Sequence, residues 1–514
     1  MLQISAILVS VLAAFASLLA YNTYTIRSHV LTRHGGFAQS LAADHSYDEL
    51  KNIDWRPHQQ RMIRAIQHPT ISSLNYPGGN VVIHDDFVKW HAFLEASFPL
   101  VYSKLNKHII SNYSLVFEWR GTAAETTTPI LLTSHQDVVP VEDKTLHEWK
   151  FPPFAGMVDD EGWLYGRGTL DVKNGVMSQL EAVEYLLSVG YQTKRSIWLA
   201  YGHDEEIGGM HGARYIAEFF KSRGTRFDFI VDEGLPIVGD MDIVANSVAS
   251  IGIAERGYCD IELQIQGIGG HASTPSQNNS IIHLSKLLVA LEAEPLPAKL
   301  ASGIMGMTLE SLIPFMTNPL HQVMFANQEL FEPLLLSVLD KPAVKAMLGT
   351  TMTPTILTAG TAHNVIAQVA SANINVRTVP GESCESTQAY IEAVARKHKI
   401  HGLRIAIHRD NLPSPVSSIE NPPFRALEWV YHTCFQHLRP SIAVAPGLML
   451  AGTDSKHYEV LTDSIYRFMP VRMNSTDLVR IHGVNERIHL ADYAEMIRYF
   501  AILIQRVNDP EYDA

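Results

Sequence analysis

The sequence predicts an α/β chain in which a mostly parallel-sheet domain is interrupted by a smaller ferredoxin-like insertion of order βαββαβ. Three observations predict it: short apolar, β-rich runs alternate with helix-periodic segments in the first half, the pattern changes near Ile253, and it returns from about Leu412. At 514 residues the chain is too long for one compact core. The expected division is therefore a larger domain over 47–252 and 411–514, with 253–410 inserted into it.

In chain order, the first 26 residues contain no Lys, Arg, Asp or Glu, and Leu2 through Ala20 is almost wholly apolar, close to the length of a bilayer span. Residues 1–26 are expected to be a membrane anchor or signal peptide, and the missing basic n-region and A-x-A site favour an uncleaved anchor. Arg27 and Arg33 follow the span, where the positive-inside rule would put cytoplasm, so flanking charge leaves the orientation open. A polar linker is expected over 27–46, with the folded part beginning near Tyr47. Pro129–His135, Ser196–Gly202 and Phe227–Val231 read as buried parallel strands. Between the first two, Val176, Leu180, Val183 and Leu187 recur at helical spacing. After Ile253 come a strand (Tyr258–Gln266), a helix (Ile281–Ala293), strands at Thr353–Thr358 and Val369–Val376, a helix (Ser386–His398) and a strand (Leu403–His408). The Met- and Leu-rich stretch Ile304–Leu348 is an added helical excursion. Core packing is its default role, with a dimer contact, a membrane face or an acyl site as alternatives. Ala491–Val507 is the closing helix.

Composition narrows the function classes. With 46% apolar and 18% charged residues the chain is ordinary globular protein, and a formal charge of -13 without a basic block excludes nucleic acid as the natural partner. Cys259, Cys384 and Cys434 are too few and too scattered for a disulfide framework or a CxxC metal site. Buried free thiols are the plainer expectation, and export would permit one disulfide.

Four acidic or His clusters fall just after predicted strands, where open α/β sheets present catalytic groups. In Ser134-His135-Gln136-Asp137, His135 can offer a ring nitrogen to a metal while Asp137 accepts the other ring N–H and fixes the tautomer. In Gly166-Arg167-Gly168-Thr169-Leu170-Asp171, a glycine turn delivers Asp171 to a helix entrance. Its two oxygens could bridge cations about 3.5–4 Å apart, although a helix N-cap is the plainer role for such an Asp alone. Gly202-His203-Asp204-Glu205-Glu206 offers adjacent carboxylates, one able to ligate metal while its neighbour reaches a metal-activated water. Asp232-Glu233 supplies a further acid, and His482 lies in Arg480-Ile481-His482-Gly483-Val484-Asn485-Glu486 before the last helix. Each cluster alone is ordinary. Together they hold two His, a potential bridging Asp, two further carboxylates and a spare Glu, a set suited to paired zinc.

These motifs, in this order, resemble the co-catalytic di-zinc peptidase family of aminoacylase-1 and carboxypeptidase S, with the C-terminal blocks most similar to its N-fatty-acyl-amino-acid synthase/hydrolase branch. The resemblance extends to Trp149-Lys150-Phe151-Pro152-Pro153-Phe154, Gly269-Gly270-His271-Ala272-Ser273-Thr274-Pro275 and Ser464-Ile465-Tyr466-Arg467-Phe468. It implies two zinc ions per subunit bridged by Asp171, with His135 and the Asp232/Glu233 acid on one and Glu206 and His482 on the other. Glu205 would be the general base, and Asp137 would orient His135. The insertion would be a lid and homodimerisation domain whose His271 reaches a partner active site. Asn364, Arg377, Gly452 and Thr453 would contact substrate. Two departures from the family pattern are Ala367, where it usually has Pro, and Lys456, where Arg is frequent; Lys lacks Arg's bidentate fork.

The implied activity is reversible cleavage of the amide bond of N-acyl amino acids, including fatty-acyl ones, with a carboxypeptidase-S-like exopeptidase as the alternative. A catalytically dead membrane-tethered scaffold is a remote third reading, because such relics normally lose a ligand or the base. A single-zinc protease is disfavoured because H-E-x-x-H is absent. The expected location is membrane-anchored or secreted, with the catalytic part extracytoplasmic or lumenal.

Overall fold

The computed structural model describes residues 2–43, 50, 53–73, 84–239, 243–275, 278–339, 341–435, 442–510 and 512, with backbone alone for 2–9, 11, 34–43, 84 and 475. Its centre is an eight-stranded sheet in the order Asn106–Ile110, Ser114–Trp119, Ile197–Gly202, Ile130–His135, Ile230–Val238, Ile465–Met473, Val248–Glu255, Ala443–Met449. The middle four strands run parallel, Ile130–His135 pairing with both Ile197–Gly202 and Ile230–Val238. Their near-continuous apolar sequences follow from burial on both faces. Alternate side chains point to opposite sides, so Leu132, Leu199 and Val231 join a core with Val176, Leu180, Met496 and Phe500 of the helices Lys173–Ser188 and Leu490–Arg506. Leu131, Trp198 and Ile230 pack on the other face against Ile216 and Phe220 of the helix Ala213–Ser222. The expected strand Phe227–Val231 instead runs from Ile230 to Val238, because its far end turns to pair with Val248–Glu255.

The inserted segment forms a four-stranded antiparallel sheet in the order Thr351–Ala359, Val369–Arg377, Tyr258–Gln266, Leu403–Asn411. Cys259, Ile261, Leu263 and Ile265 alternate onto one face, covered by the helices Ser280–Ala293 and Cys384–Lys397. Contrary to the free-thiol expectation, Cys259 and Cys384 form a disulfide across this core, while Cys434 is a buried free thiol. The excursion folds into helices Ile304–Leu312, Pro319–Ala326, Gln328–Val338 and Pro342–Leu348. Its Leu309, Leu312, Phe325 and Leu335 share a core with Val248, Ala443 and Ala445, so it packs on the far edge of the large sheet.

The N-terminal segment is a helix over Leu2–Ala43, so the linker expected over 27–46 is helical through Ala43; residues 44–46 and Tyr47 lie outside the described set. Asn22 donates to Asn327 of the excursion at 3.0 Å, and Arg33 lies 3.3 Å from the buried Glu428. The apolar stretch Leu2–Ala20 falls partly on residues of which only the backbone is described. Among the described residues, no helix is long and apolar enough to cross a membrane.

Candidate metal centre

The acidic and His clusters of the sequence converge at the C-terminal ends of the central parallel strands. His135 closes its strand, is 1% exposed, and has the carbonyl of Asp137 3.0 Å from its Nδ1. On the other side of the ring, Nε2 lies 3.1 Å from Asp171 Oδ1 and 3.3 Å from Glu233 Oε1. The second oxygen of Asp171 faces the opposite way, 2.8 Å from His482 Nε2, which is itself 3.1 Å from Glu206 Oε2. Two three-residue groups result, His135/Asp171/Glu233 and Asp171/Glu206/His482, each with its ligand atoms within 4.8 Å of one another. Asp171 is common to both, one oxygen to each.

Local sequence dictates these placements. At Gly168 φ is +87° and a Cβ would stand 2.8 Å from Val138 Cγ1, so this turn requires glycine to bring Asp171 to the mouth of the helix Lys173–Ser188. The Asp171–Val172 peptide is cis. Asp232 and Glu233 are neighbours on one strand and so face opposite ways. Glu233 enters the cluster. Asp232 is 2% exposed, its Oδ1 accepts the Glu233 N–H at 2.9 Å, and it belongs to neither ligand group. Asp137 does more than orient His135: its oxygens accept the backbone N–H groups of Glu205 (3.2 Å) and Glu206 (3.1 Å), and a hydroxyl from Ser72. One carboxylate thus ties the His135 strand end to the loop carrying Glu205. Burial pushes its acid form up, but the bonds from His135, Ser72 and Glu206 outweigh that and hold it ionised.

Burial and crowding of like charge dominate the electrostatics of the cluster. Burial pushes Glu206 and Glu233 up to about 7, with Asp171 adding repulsion in both cases. Burial also raises Glu205 strongly, assisted by Glu233, Asp454 and Glu206. Hydrogen bonds to Asp171 and Glu206 raise His482 to about 10. Glu206 Oε1 is buried without a hydrogen-bond partner among the described residues. A free buried carboxylate oxygen, imidazoles facing shared acids and a carboxylate offered to both sides fit divalent metal with N and O ligands. Glu205 Oε2, 3.9 Å from His135 Nε2, borders the cluster and belongs to neither ligand group.

The remaining predicted residues lie elsewhere. His271 and Asn364 are exposed and adjacent on the insertion: His271 pairs with Val365, and the Asn364 carbonyl accepts the Ala272 N–H at 3.0 Å. Arg377, at its strand end, lies over the Tyr258 ring at 4.6 Å. Gly452 is exposed. Thr453 is 1% exposed, and its hydroxyl donates to Glu255 in a buried network with Ser455 and Arg467. Sequence reasoning assigned no role to Ser72, which lies in no motif, or to Lys173. The Lys173 ammonium is buried over Trp90 at 4.1 Å, donates to the His68 carbonyl at 2.7 Å, and is lowered by burial to about 7.

Comparison with known proteins follows the same outline. Residues 131–506 match the model of peptidase family M20/M25/M40. A probable carboxypeptidase S-like 2 of Dictyostelium discoideum is 37% identical over 91% of this chain and 88% of its own length. The N-fatty-acyl-amino acid synthase/hydrolase PM20D1 of Xenopus tropicalis is 32% identical over 98% and 94%. Among solved structures, the M20 family metallo-carboxypeptidase Sso-CP2 of Sulfolobus solfataricus shares the fold with a TM-score of 0.61 at 18% identity, covering 87% of this chain and 98% of that one. Human carnosine dipeptidase 1 does so at 0.56 and 14%, covering 95% and 98%.

Proposed function

The chain belongs to peptidase family M20/M25/M40 and is a hydrolase, and from that premise we propose that it is a two-zinc amidohydrolase that reversibly cleaves the amide bond of N-acyl amino acids, long acyl groups included. The observation that carries the proposal is Asp171, whose two oxygens are divided between His135/Glu233 and Glu206/His482. Zinc held there would polarise the scissile carbonyl and lower the pKa of a water from 15.7 towards about 7.

The chain's own residues supply the rest. Glu205 takes a proton from the attacking water and passes one to the leaving nitrogen, which is why a raised carboxyl pKa suits it. Asp137 holds both the His135 ring and the Glu205–Glu206 backbone, so base and ligands move together. His271 stands exposed on the insertion, in keeping with a donor brought to the site by domain closure or by a second subunit. The edge strand Thr351–Ala359 is exposed from Thr353 onward, an open row of backbone groups suited to pairing in a homodimer. In the same reading Asn364 and Arg377 receive the substrate carboxylate and Gly452 borders its path, whereas Thr453 acts from below through Glu255.

The carboxypeptidase reading is favoured by one specific observation, the 37% identity to a carboxypeptidase S-like protein. The finer location is part of the proposal too: the apolar 2–20 stretch serves export or anchoring, with the catalytic part extracytoplasmic. The Cys259–Cys384 disulfide supports an oxidising compartment. The deciding experiment is zinc-dependent release of amino acid from oleoyl- and acetyl-amino acids and from short peptides. Preference for oleoyl substrates is expected; preference for peptides would make the protein a carboxypeptidase.

A further inference from the structure

Beneath the metal cluster lies a buried ion pair to which neither the ligand set nor the mechanism assigns a role. Glu486 is fully buried, four residues after His482 in the same loop. Its Oε1 accepts the backbone N–H groups of Leu170 (2.8 Å) and Asp171 (3.2 Å). Its Oε2 accepts Nη1 of Arg167 at 2.5 Å, and Arg167, 3% exposed, donates Nη2 to the carbonyl of His482 itself at 2.9 Å. The Arg167 guanidinium also lies over the Trp149 ring at 5.7 Å. One carboxylate and one guanidinium therefore close a ring of contacts joining the backbone of Asp171 to that of His482, two residues more than 300 positions apart whose side chains meet at 2.8 Å.

The backbone explains why such a brace is needed. His482 has φ of +62° and Asn485 of +59°, left-handed conformations that non-glycine residues hold only when surroundings impose them. The Asn485 side chain is fixed to Lys150 N at 2.6 Å and Glu148 O at 3.1 Å. At His482 the carbonyl bond from Arg167 supplies the constraint. His482 is also the most open ligand, its side chain 49% exposed, so packing alone does not aim it.

We propose that Arg167, held by Glu486, is a positioning residue that aims His482 at one particular ion, the one shared with Glu206, while Glu486 also steadies the Asp171 turn common to both ions. Glutamate is required because each oxygen has separate work, one on the Asp171 turn and one on Arg167. Arginine is required because only its fork can bond Glu486 and the His482 carbonyl at once; lysine presents a single point charge.

The proposal rests on Asp171, Glu206 and His482 being metal ligands, and the test separates the two ideas. Purified full-length protein is stripped with chelator and titrated with Co2+ alone, reading stoichiometry by elemental analysis and the visible ligand-field spectrum at each equivalent. Wild type taking up fewer than two ions would overturn the ligand reading itself. Given two in wild type, Arg167→Lys should bind the ion at His135 and Glu233 normally and the ion at His482 roughly 10- to 100-fold more weakly, with an altered spectrum for that ion only, whereas Glu486→Gln, which also frees the shared Asp171 turn, should weaken both, the His482 ion more. Arg167→Lys keeps the buried charge beside Glu486, so it decides the matter if Glu486→Gln fails to fold by circular dichroism. Folded Arg167→Lys with two wild-type affinities and spectra would overturn the brace, as would equal weakening at both sites.

Discussion

Glu205 and Glu206 are chemically identical neighbours whose surroundings separate their work. Glu206 is 5% exposed and pairs with His482, whereas Glu205 is 13% exposed and stands 3.9 Å from the nearest ring nitrogen. Removing the Glu205 charge while keeping its shape should therefore spare the ligands. Glu205→Gln is expected to retain wild-type metal content by elemental analysis and to lose roughly 100- to 10,000-fold in kcat. The pH dependence of metal uptake follows from the neighbouring acids. Burial and repulsion raise Glu206 and Glu233 to about 7, and His482 rises to about 10 through its bonds to the same acids. Protons carried by these groups at and below those values would be released when a metal binds. Apparent zinc affinity should accordingly rise with pH through about 7 and fall on acidification, with proton release visible by calorimetry in two buffers. The blocks carrying His135, Asp171, Glu206 and His482 were legible in the sequence, and the fold brings these side chains together. The choice between Asp232 and Glu233 was not, because strand alternation says only that they face opposite ways, and tertiary packing decides which way is inward.

At the scale of elements, the central strands were legible because burial on both faces leaves a nearly continuous apolar run, and the helix Lys173–Ser188 because its apolar residues keep a period of 3.6. The extension of Ile230–Val238 was hidden: its second half is Gly234-Leu235-Pro236, which looks like a break, and only pairing with Ile465–Met473 and Val248–Glu255 makes it strand. The disulfide was hidden for a related reason, since pairing depends on which Cα atoms the sheet brings within reach, here 6.0 Å for Cys259 and Cys384. Where Ile465–Met473 crosses Val248–Glu255, Arg467 and Glu255 form a buried pair at 2.8 Å, their side chains 1% and 4% exposed. Truncating one member leaves the other charge buried alone. Arg467→Met should cost about 3–5 kcal/mol of folding stability, read from the denaturant midpoint at unchanged slope. A midpoint like that of wild type would mean that Glu255 is adequately held by Thr453 and Ser455.

For the whole molecule, the proposed role of His271 requires it to reach the cluster of His135, Asp171 and His482, which lies in the other body. The insertion carries His271 on an exposed two-stranded ladder with Asn364, and the clustered carboxylates lie in the larger body. If a second subunit supplies His271, Glu205→Gln and His271→Ala subunits should complement each other. Mixed heterodimers then hold one intact site of two, so equimolar mixing should recover roughly a quarter of wild-type activity after subunit exchange. No recovery from demonstrably mixed dimers would place His271 in its own subunit's site. The inserted antiparallel sheet was legible in the sequence as a change of strand pattern near Ile253, whereas the packing of Ile304–Leu348 on the large sheet was not. The docking of the N-terminal helix on the excursion was not, because nothing in residues 19–33 names its partner.

Two ions sharing Asp171 are the centre of the proposed mechanism, and the most direct measurement is activity during stepwise addition of zinc to chelator-stripped protein. Amide cleavage is expected to be complete only at the second equivalent, and Asp171→Ala to bind neither ion at wild-type affinity. Full activity at one equivalent, or an active Asp171→Ala enzyme with two ions bound, would contradict that mechanism.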